Sequence, residues 1–170
     1  DQVTNGLLKI GLTKGDVVAV QLPNTIEFIV SYFAITALGG IMQTIHMPYR
    51  DADIEFLLTH SKARAVICQQ NFKDFKTAEV MLGIKEQADC LKHIITVGTS
   101  APEGTISFES LKISGKPKID NPPVGSDPFL LLYTSGTTSS PKGVPLTYQN
   151  MIGNARLRVP EFHMTPSDRN

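Results

Sequence analysis

Short apolar runs alternate along the chain with segments of helical periodicity. Runs rich in Val, Ile, Leu and Phe predict β-strands at 17–22, 41–45, 65–68, 93–97 and 129–133. The spacing of the first four runs is close to the roughly 30-residue scale of a strand–helix–strand unit. The runs at 17–22 and 129–133 do not alternate with polar residues, which is typical of parallel strands covered on both faces. The pattern therefore predicts an α/β fold with a mainly parallel sheet flanked by helices.

Helical periodicity fills the stretches between these runs. The strongest helix begins at Asn24, where Asn24 and Glu27 match a capping box, and it ends at Gly39-Gly40. Apolar residues lie on both sides of this helix, so we expect it to be deeply buried. Further helices are predicted at about 51–60, 74–87 and 147–158. Residues 98–128 are rich in glycine and proline, and we expect a long connection with one short helical turn.

Composition narrows the functional classes. The 170 residues carry 16 Lys+Arg and 16 Asp+Glu, and this neutral balance gives no electrostatic footprint for nucleic acid or an anionic membrane. No window approaches the roughly 20 consecutive apolar residues that span a bilayer. The N-terminal residues show no signal peptide, so we expect a cytoplasmic protein without an integral membrane segment. Composition leaves the oligomeric state open.

Cysteine and histidine give no sign of a metal site. Cys68 and Cys90 lack metal-ligand spacing and are interpreted as buried, reduced thiols. The four histidines are dispersed and form no ligand pair, so we assign them no metal or catalytic role. Arg50 is interpreted as solvated at a helix start, although contact with a partner subunit or a substrate carboxylate is an alternative.

One loop carries the candidate chemistry. The apolar run that ends at Tyr133 leads into small, hydroxyl-rich residues, and Lys142-Gly143 follow after Pro141. Small residues let backbone N–H groups approach an anion, hydroxyls add donors, and a lysine supplies positive charge for a polyphosphate. The end of a strand is also where open α/β sheets bind ligands. The stretch therefore predicts a phosphate-binding loop.

Two common nucleotide-binding motifs are excluded. A Walker A loop needs glycine directly before its lysine, but Pro141 precedes Lys142, and a glycine rather than Ser or Thr follows it. The chain also lacks Gly-x-Gly-x-x-Gly. A P-loop NTPase and a dinucleotide-binding enzyme are therefore disfavoured.

The stretch from Tyr133 to Val144 resembles the signature loop of adenylate-forming enzymes. These are the acyl-CoA synthetases, the adenylation domains of peptide synthetases and the luciferases. The family motif usually has glycine where this chain has Ser139. The resemblance extends over most of the chain, to residues 15–27, 37–40, 146–150 and 165–168.

The resemblance implies an ATP-dependent ligase. Such enzymes join a small-molecule carboxylic acid to ATP, release pyrophosphate from an acyl-adenylate, and pass the acyl group to a thiol such as coenzyme A. By similarity, the β- and γ-phosphates would be held by Thr134, Ser135, Gly136, Thr137, Thr138, Ser139 and Lys142. Thr134 would also contact Mg²⁺, by analogy with some relatives. None of these residues is an acid–base catalyst.

The resemblance also predicts that residues 1–170 are a single partial domain. The family's later adenine, ribose and substrate motifs and its lysine-bearing C-terminal lid have no counterpart in the sequence. We therefore expect a fragment of an N-terminal AMP-binding domain that is inactive alone, and the missing initiator Met fits this expectation. Residues 47–51 and 54–58 resemble ligases for medium-chain, alicyclic or aryl acids.

Two alternatives stay open. The chain could be a non-catalytic α/β module that binds nucleotide or a partner protein through the same loop. It could also belong to an adenylation domain that loads a carrier-protein thiol. Coenzyme A is favoured as the acceptor because acyl-CoA ligases are abundant as free-standing enzymes.

Overall fold

A computed structural model describes residues 1–134 and 141–168. Its centre is a seven-stranded sheet with the order β5-β4-β3-β1-β2-β6-β7. The strands are β1 (Val17–Gln21), β2 (Ile41–Thr44), β3 (Ala65–Gln69), β4 (His93–Val97), β5 (Ile106–Ser107), β6 (Pro128–Thr134) and β7 (Lys142–Thr147). The helices are α1 (Gln2–Lys9), α2 (Ile26–Leu38), α3 (Asp51–Ser61), α4 (Thr77–Gln87) and α5 (Tyr148–Glu161), with a 3₁₀ helix at Phe108–Leu111.

The sheet is parallel except at one edge. Strands β1 to β6 pair in parallel, and β7 runs antiparallel to β6. This confirms the predicted α/β fold with a mainly parallel sheet. The five predicted strands lie within one residue of β1, β2, β3, β4 and β6 at each end.

Both faces of the sheet are covered, because alternate strand residues pack into two different hydrophobic clusters. Val18 and Val20 belong to a cluster with α1 and α2. Ala19 between them belongs to a cluster with α3 and α4. Successive side chains of a strand point to opposite faces, so each strand in the middle of such a sheet needs apolar residues throughout. This explains the apolar run at 17–22.

The start of α2 differs from the prediction. The helix begins at Ile26, and Thr25 occupies the N-cap position with extended backbone angles, φ −117° and ψ 171°. The predicted cap at Asn24 is therefore wrong by one residue, because the Ile29 amide donates to the Thr25 carbonyl and not further back. The end of α2 is confirmed: Gly39 has φ 79°, in the left-handed region that favours glycine.

The predicted deep burial of α2 is also wrong within the described structure. Its inner face contacts the sheet through Ala34, Ile35 and Leu38. Its outer face leaves Ile26 77% exposed and Phe33 64% exposed. A helix can thus be apolar on all sides although only one of its faces is covered by the described part of the chain.

The remaining elements match the predictions with local changes. Helix α3 is as predicted to one residue, and α4 begins at Thr77 because a bridge between Phe72 and Phe75 occupies the preceding residues. The connection at 98–128 contains the predicted helical turn, at Phe108–Leu111, and also β5, which was not predicted. Helix α1 was not predicted, and α5 extends three residues beyond the predicted end to Glu161.

Cys68 lies in β3 and is fully buried, whereas Cys90 is only half-buried. The predicted burial therefore holds fully for Cys68 alone, and the reduced state of the two thiols stays a prediction. Among the residues that the structure describes, none of the helices combines the length and apolar character needed to cross a membrane.

Candidate functional site

The candidate loop joins β6 to β7, and its two ends lie opposite each other. Thr134 is the last residue of β6 and pairs across the strands with Lys142, the first residue of β7. Both side chains are exposed. The pairing therefore brings the Thr134 hydroxyl and the Lys142 ammonium to the same end of the hairpin, as a shared polyphosphate requires. The other predicted loop residues lie outside the described residues and stay predictions: Ser135, Gly136, Thr137, Thr138 and Ser139.

The hairpin opens at the carboxyl edge of the parallel strands. Strand β6 pairs in parallel with β2, and β2 pairs in parallel with β1. Thr134 therefore lies at the same edge as the ends of β1 and β2. Ligands of open α/β sheets bind at this edge, so the position is consistent with the predicted phosphate site.

A buried glutamine in β2 fixes helix α3 beside this edge. The Gln43 side-chain amide donates to the Leu57 carbonyl at 3.3 Å, and its Oε1 accepts from the Ser61 hydroxyl at 2.7 Å. Gln43 is fully buried. A buried amide without partners would be costly, and this one is bonded through both its oxygen and its nitrogen. These bonds set the position of α3 relative to the sheet.

A second buried glutamine holds the connection between β2 and α3. Gln21 is the last residue of β1, and its Nε2 donates to the His46 carbonyl at 3.1 Å and to the Tyr49 carbonyl at 3.4 Å. The Arg50 guanidinium also bonds this connection, donating to the carbonyls of Met47 and Tyr49 at 3.0 Å and 2.9 Å.

Arg50 caps the start of α3, and its guanidinium lies 4.6 Å from the centre of the Phe75 ring. Its charge is thus engaged by carbonyls and an aromatic face within the chain. These contacts support a structural role at the helix start, and contact with a partner subunit or a substrate carboxylate stays an untested alternative.

A cavity of about 340 Å³ lies between α3 and the end of the hairpin. Phe56 and Leu57 form part of its apolar wall, and Thr134 and Pro141 border it from the two sides of the loop. Asp53 adds a carboxylate. A group bound here would lie next to the start of the candidate phosphate loop, against a mainly apolar surface.

Tyr133 connects the hairpin to α3. Its phenolic oxygen lies 2.7 Å from Nδ1 of His60, and partial burial raises the pKa of the Tyr133 hydroxyl above its usual value. This contact is not predictable from the sequence, since the two residues are 73 positions apart and each has an ordinary local context. No rule of sequence spacing relates a residue of α3 to a residue of β6, because the two elements are distant in sequence and meet only in the folded chain.

The other end of β7 is fixed by the start of α5. The Tyr148 hydroxyl donates to the Thr36 carbonyl of α2 at 2.7 Å, and its ring stacks on Phe129 with centroids 4.6 Å apart. Thr147 caps α5 by accepting from the Asn150 amide at 3.2 Å. The hairpin is therefore anchored near α2 at one end and near α3 at the other.

No group of three or more potential metal ligands from His, Cys, Asp and Glu occurs in the described parts of the chain. A magnesium ion held mainly by phosphate oxygens needs few protein ligands, and an exposed threonine hydroxyl can supply one of them. Thr134 fits that need, and its contact with Mg²⁺ stays a prediction.

Comparison with known proteins gives consistent matches over almost the whole chain. A family model described as "AMP-binding enzyme" matches residues 1–169. The medium-chain fatty-acid–CoA ligase of Escherichia coli is 27% identical over 98% of this chain and 30% of its own length. The 4-coumarate–CoA ligase 3 of Arabidopsis thaliana is 28% identical over 98% of this chain and 29% of its own length.

A solved structure shares both sequence and fold with the chain. The anthranilate CoA ligase AuaEII, crystallised with anthranoyl-AMP, superimposes with a TM-score of 0.81 and 28% identity over 92% of this chain. The match covers 29% of that protein. The chain thus spans about a third or less of the length of the relatives it resembles.

Proposed function

Because the chain belongs to the AMP-binding enzyme family, we propose that it is a segment of an ATP-dependent ligase that activates a carboxylic acid. The observation that carries this proposal is the pairing of Thr134 with Lys142 at the carboxyl edge of the sheet. It holds a hydroxyl and a positive charge at the two ends of a loop whose residue types suit a polyphosphate. Two of the relatives are named as CoA ligases, and these names support the same reaction class.

In the proposed reaction, a carboxylate oxygen of the acid attacks the α-phosphate of ATP. The bond from the α-phosphorus to the bridging oxygen breaks, and pyrophosphate leaves with both electrons of that bond. The Lys142 ammonium and the loop N–H and hydroxyl groups stabilise the negative charge that develops on the pyrophosphate. Thr134 would hold a bound Mg²⁺, which would supply further charge neutralisation at the same phosphates.

We propose coenzyme A as the thiol that accepts the acyl group in the second step. The thiolate attacks the acyl carbon and AMP leaves. The CoA ligases among the relatives support this choice over a carrier protein. Thioester formation with free coenzyme A, measured after adenylate formation, separates the two acceptors.

We also propose that residues 1–170 belong to one larger domain. Helix α5 has no buried residue within the described structure, and it exposes Leu157 at 76% and Phe162, the residue after its last turn, at 61%. The outer face of α2 exposes Ile26 and Phe33. Apolar surfaces of this kind are usually covered by other parts of a protein, and relatives about three times as long have additional chain to cover them. The isolated segment is expected to form no acyl-CoA, and measurable formation by it alone would contradict this proposal.

The acid itself is proposed only by class. Residues 47–51 and 54–58 resemble ligases for medium-chain, alicyclic or aryl acids, and the apolar cavity beside Phe56 is compatible with such a group. The free thiols Cys68 and Cys90 support a reducing compartment, and we assign the enzyme to the cytoplasm.

The test is carboxylate-dependent ATP–pyrophosphate exchange by the full-length protein, with a panel of medium-chain, alicyclic and aryl acids. Exchange that requires one of these acids supports the ligase. Tight ATP binding without exchange for any acid would contradict it and favour a non-catalytic nucleotide-binding module.

A further inference from the structure

The last residues of β6 pair with a neighbouring strand on only one side, that of β7. The pairing between β2 and β6 joins Met42 to Leu130 and Gln43 to Leu131. On the other side, β7 pairs with β6 as far as Thr134. In the described structure, the last residues of β6 therefore extend beyond their pairing with β2, toward the candidate phosphate loop.

Tyr133 lies in this extended part and reaches across the hairpin. It pairs with Gly143. A Cβ added to Gly143 would lie 3.3 Å from Cζ and 3.4 Å from the hydroxyl oxygen of Tyr133, so the phenol ring lies over the glycine. Tyr133 thus contacts both strands of the hairpin, one residue away from Thr134 and from Lys142.

The Tyr133 hydroxyl forms a hydrogen bond with His60 of α3. The Oη to Nδ1 distance is 2.7 Å, and the two rings are T-shaped with centroids 5.7 Å apart. The imidazole also contacts Phe56, whose ring stacks on it with centroids 5.3 Å apart and planes at 27°. The His60 ring is therefore placed by two aromatic contacts in addition to its hydrogen bond.

The helix that carries His60 is itself fixed to the sheet. Gln43 of β2 bonds to Leu57 and Ser61 of α3, on either side of His60 in sequence. A continuous series of contacts therefore runs from β2 through α3 and His60 to Tyr133. It supports the end of β6 where pairing with β2 has stopped.

We propose that His60 is a positioning residue for the phosphate loop. Its hydrogen bond to Tyr133 fixes the end of the hairpin, and so holds the backbone of Thr134 and Lys142 in place for the polyphosphate. This inference rests on the proposed function. His60 does not touch the nucleotide, and its effect passes through Tyr133.

The test compares three variants in the full-length protein. In His60→Ala the hydrogen bond is lost, and we expect KM for ATP in the exchange reaction to rise about fivefold, the equivalent of one net hydrogen bond, with a smaller change in kcat. His60→Asn places a polar atom near the position of Nδ1 and should restore most of the affinity. Thr59→Ala, an exposed neighbour on α3, is the matched control and should leave KM unchanged.

A double-mutant cycle with Tyr133→Phe tests the pathway. If His60 acts through Tyr133, adding His60→Ala to Tyr133→Phe should cause little further loss, because the shared hydrogen bond is already absent. Additive effects of the two substitutions would overturn the inference. So would wild-type KM in His60→Ala.

A measurement that needs no activity separates this inference from the proposed function. Amide hydrogen exchange of the nucleotide-free protein should be faster at 132–134 and 142–144 in His60→Ala than in wild type or His60→Asn. Unchanged protection there would overturn the positioning role, whatever the protein catalyses. An absence of carboxylate-dependent exchange in the wild type, with the protection change present, would overturn only the ligase proposal.

Discussion

Thr134 and Lys142 form the last cross-strand pair of the β6–β7 hairpin, and the next pair inward is Tyr133 with Gly143. The two residues at the ends of the candidate loop are thus held opposite each other by the strand pairing. A loop closed in this way loses less conformational freedom when it binds a ligand than one with loose ends. In the proposed function, this pairing would help to preorganise the anion site at the ends of the loop, Thr134 and Lys142.

Substitution of Gly143 should disturb this end of the hairpin. In Gly143→Ala the new methyl group would lie 3.3 Å from both the Tyr133 ring and Leu131 Cδ1, so these neighbours must give by a few tenths of an ångström, which displaces the ring from its place over the strand. We expect a several-fold higher KM for ATP and a slightly lower thermal midpoint. Kinetics of the exchange reaction check this, with Gly83→Ala as the control because nothing lies within 4 Å of a Cβ at that position. Wild-type kinetics in Gly143→Ala would show that the ring placement is unimportant.

Gly6 and Gly83 should respond in opposite directions to the same substitution. Both lie inside helices, but a Cβ at Gly6 would be 2.3 Å from the backbone carbonyl oxygen of Leu111, whereas Gly83 faces open space. We expect Gly6→Ala to destabilise the protein by about 1–3 kcal/mol through overpacking. Gly83→Ala should stabilise it by about 0.5–1 kcal/mol through helix propensity. Chemical denaturation of the full-length protein measures both, and equal shifts of the same sign would contradict the close packing of α1 on the 3₁₀ helix.

Cys68 should be unreactive in the folded protein. Burial raises the pKa of its thiol to about 12, and the thiolate is the reactive form. Cys90 is half-buried and should be alkylated first. Mass spectrometry after timed iodoacetamide treatment gives the order of labelling, and denaturant provides the control in which both thiols react. Preferential labelling of Cys68 under native conditions would mean that β3 is not in the core.

His93 should make the protein less stable in mild acid. Its pKa is lowered from the usual 6.5, first because burial disfavours the imidazolium and then because Lys85 and Arg64 are nearby positive charges. The unfolded chain therefore takes up a proton at higher pH than the folded chain does. The stability that neutral His93 contributes is present above pH 6.5 and is lost as the pH falls from there toward the folded-state pKa.

The variant His93→Gln isolates this contribution. It removes the titrating group, so the denaturation midpoint should fall less between neutral pH and pH about 5 than it does in the wild type. If the denaturation midpoints of the two proteins changed equally with pH, the pKa of His93 would be the same in the folded and unfolded chains, and the prediction would be wrong.

Local features of the chain were predictable where local physics decides them. The apolar runs identified five strands because a strand covered on both faces needs apolar residues at every position, as Val18 and Ala19 show. The end of α2 at Gly39 was also predictable, because helices commonly end at a glycine in the left-handed conformation. The resemblance of the stretch from Tyr133 to Val144 to the family's signature loop is supported by the family match over residues 1–169, and its role as a phosphate site stays a prediction.

Features that depend on which surfaces meet were not predictable. The pattern of α2 suggested deep burial, which the structure does not bear out, because a sequence shows that a face is apolar and not what covers it. The contact between His60 and Tyr133 joins residues 73 positions apart, and it arises only from the packing of α3 against the hairpin. Buried Gln43 likewise reveals its role only through its bonds to Leu57 and Ser61.

The most direct test of the account is the effect of Lys142→Ala on carboxylate-dependent ATP–pyrophosphate exchange by the full-length protein. Loss of the ammonium of Lys142, the residue that pairs with Thr134, should lower exchange by at least about tenfold, since removing one preorganised charge or donor at a developing anion typically costs that much or more. Lys118→Ala is the matched control, because Lys118 is exposed and its nearest carboxylate, Asp120, is 3.8 Å away. Exchange that falls in Lys142→Ala and stays at the wild-type level in Lys118→Ala is the predicted result, and unchanged exchange in Lys142→Ala would contradict the assignment of this hairpin as the polyphosphate site.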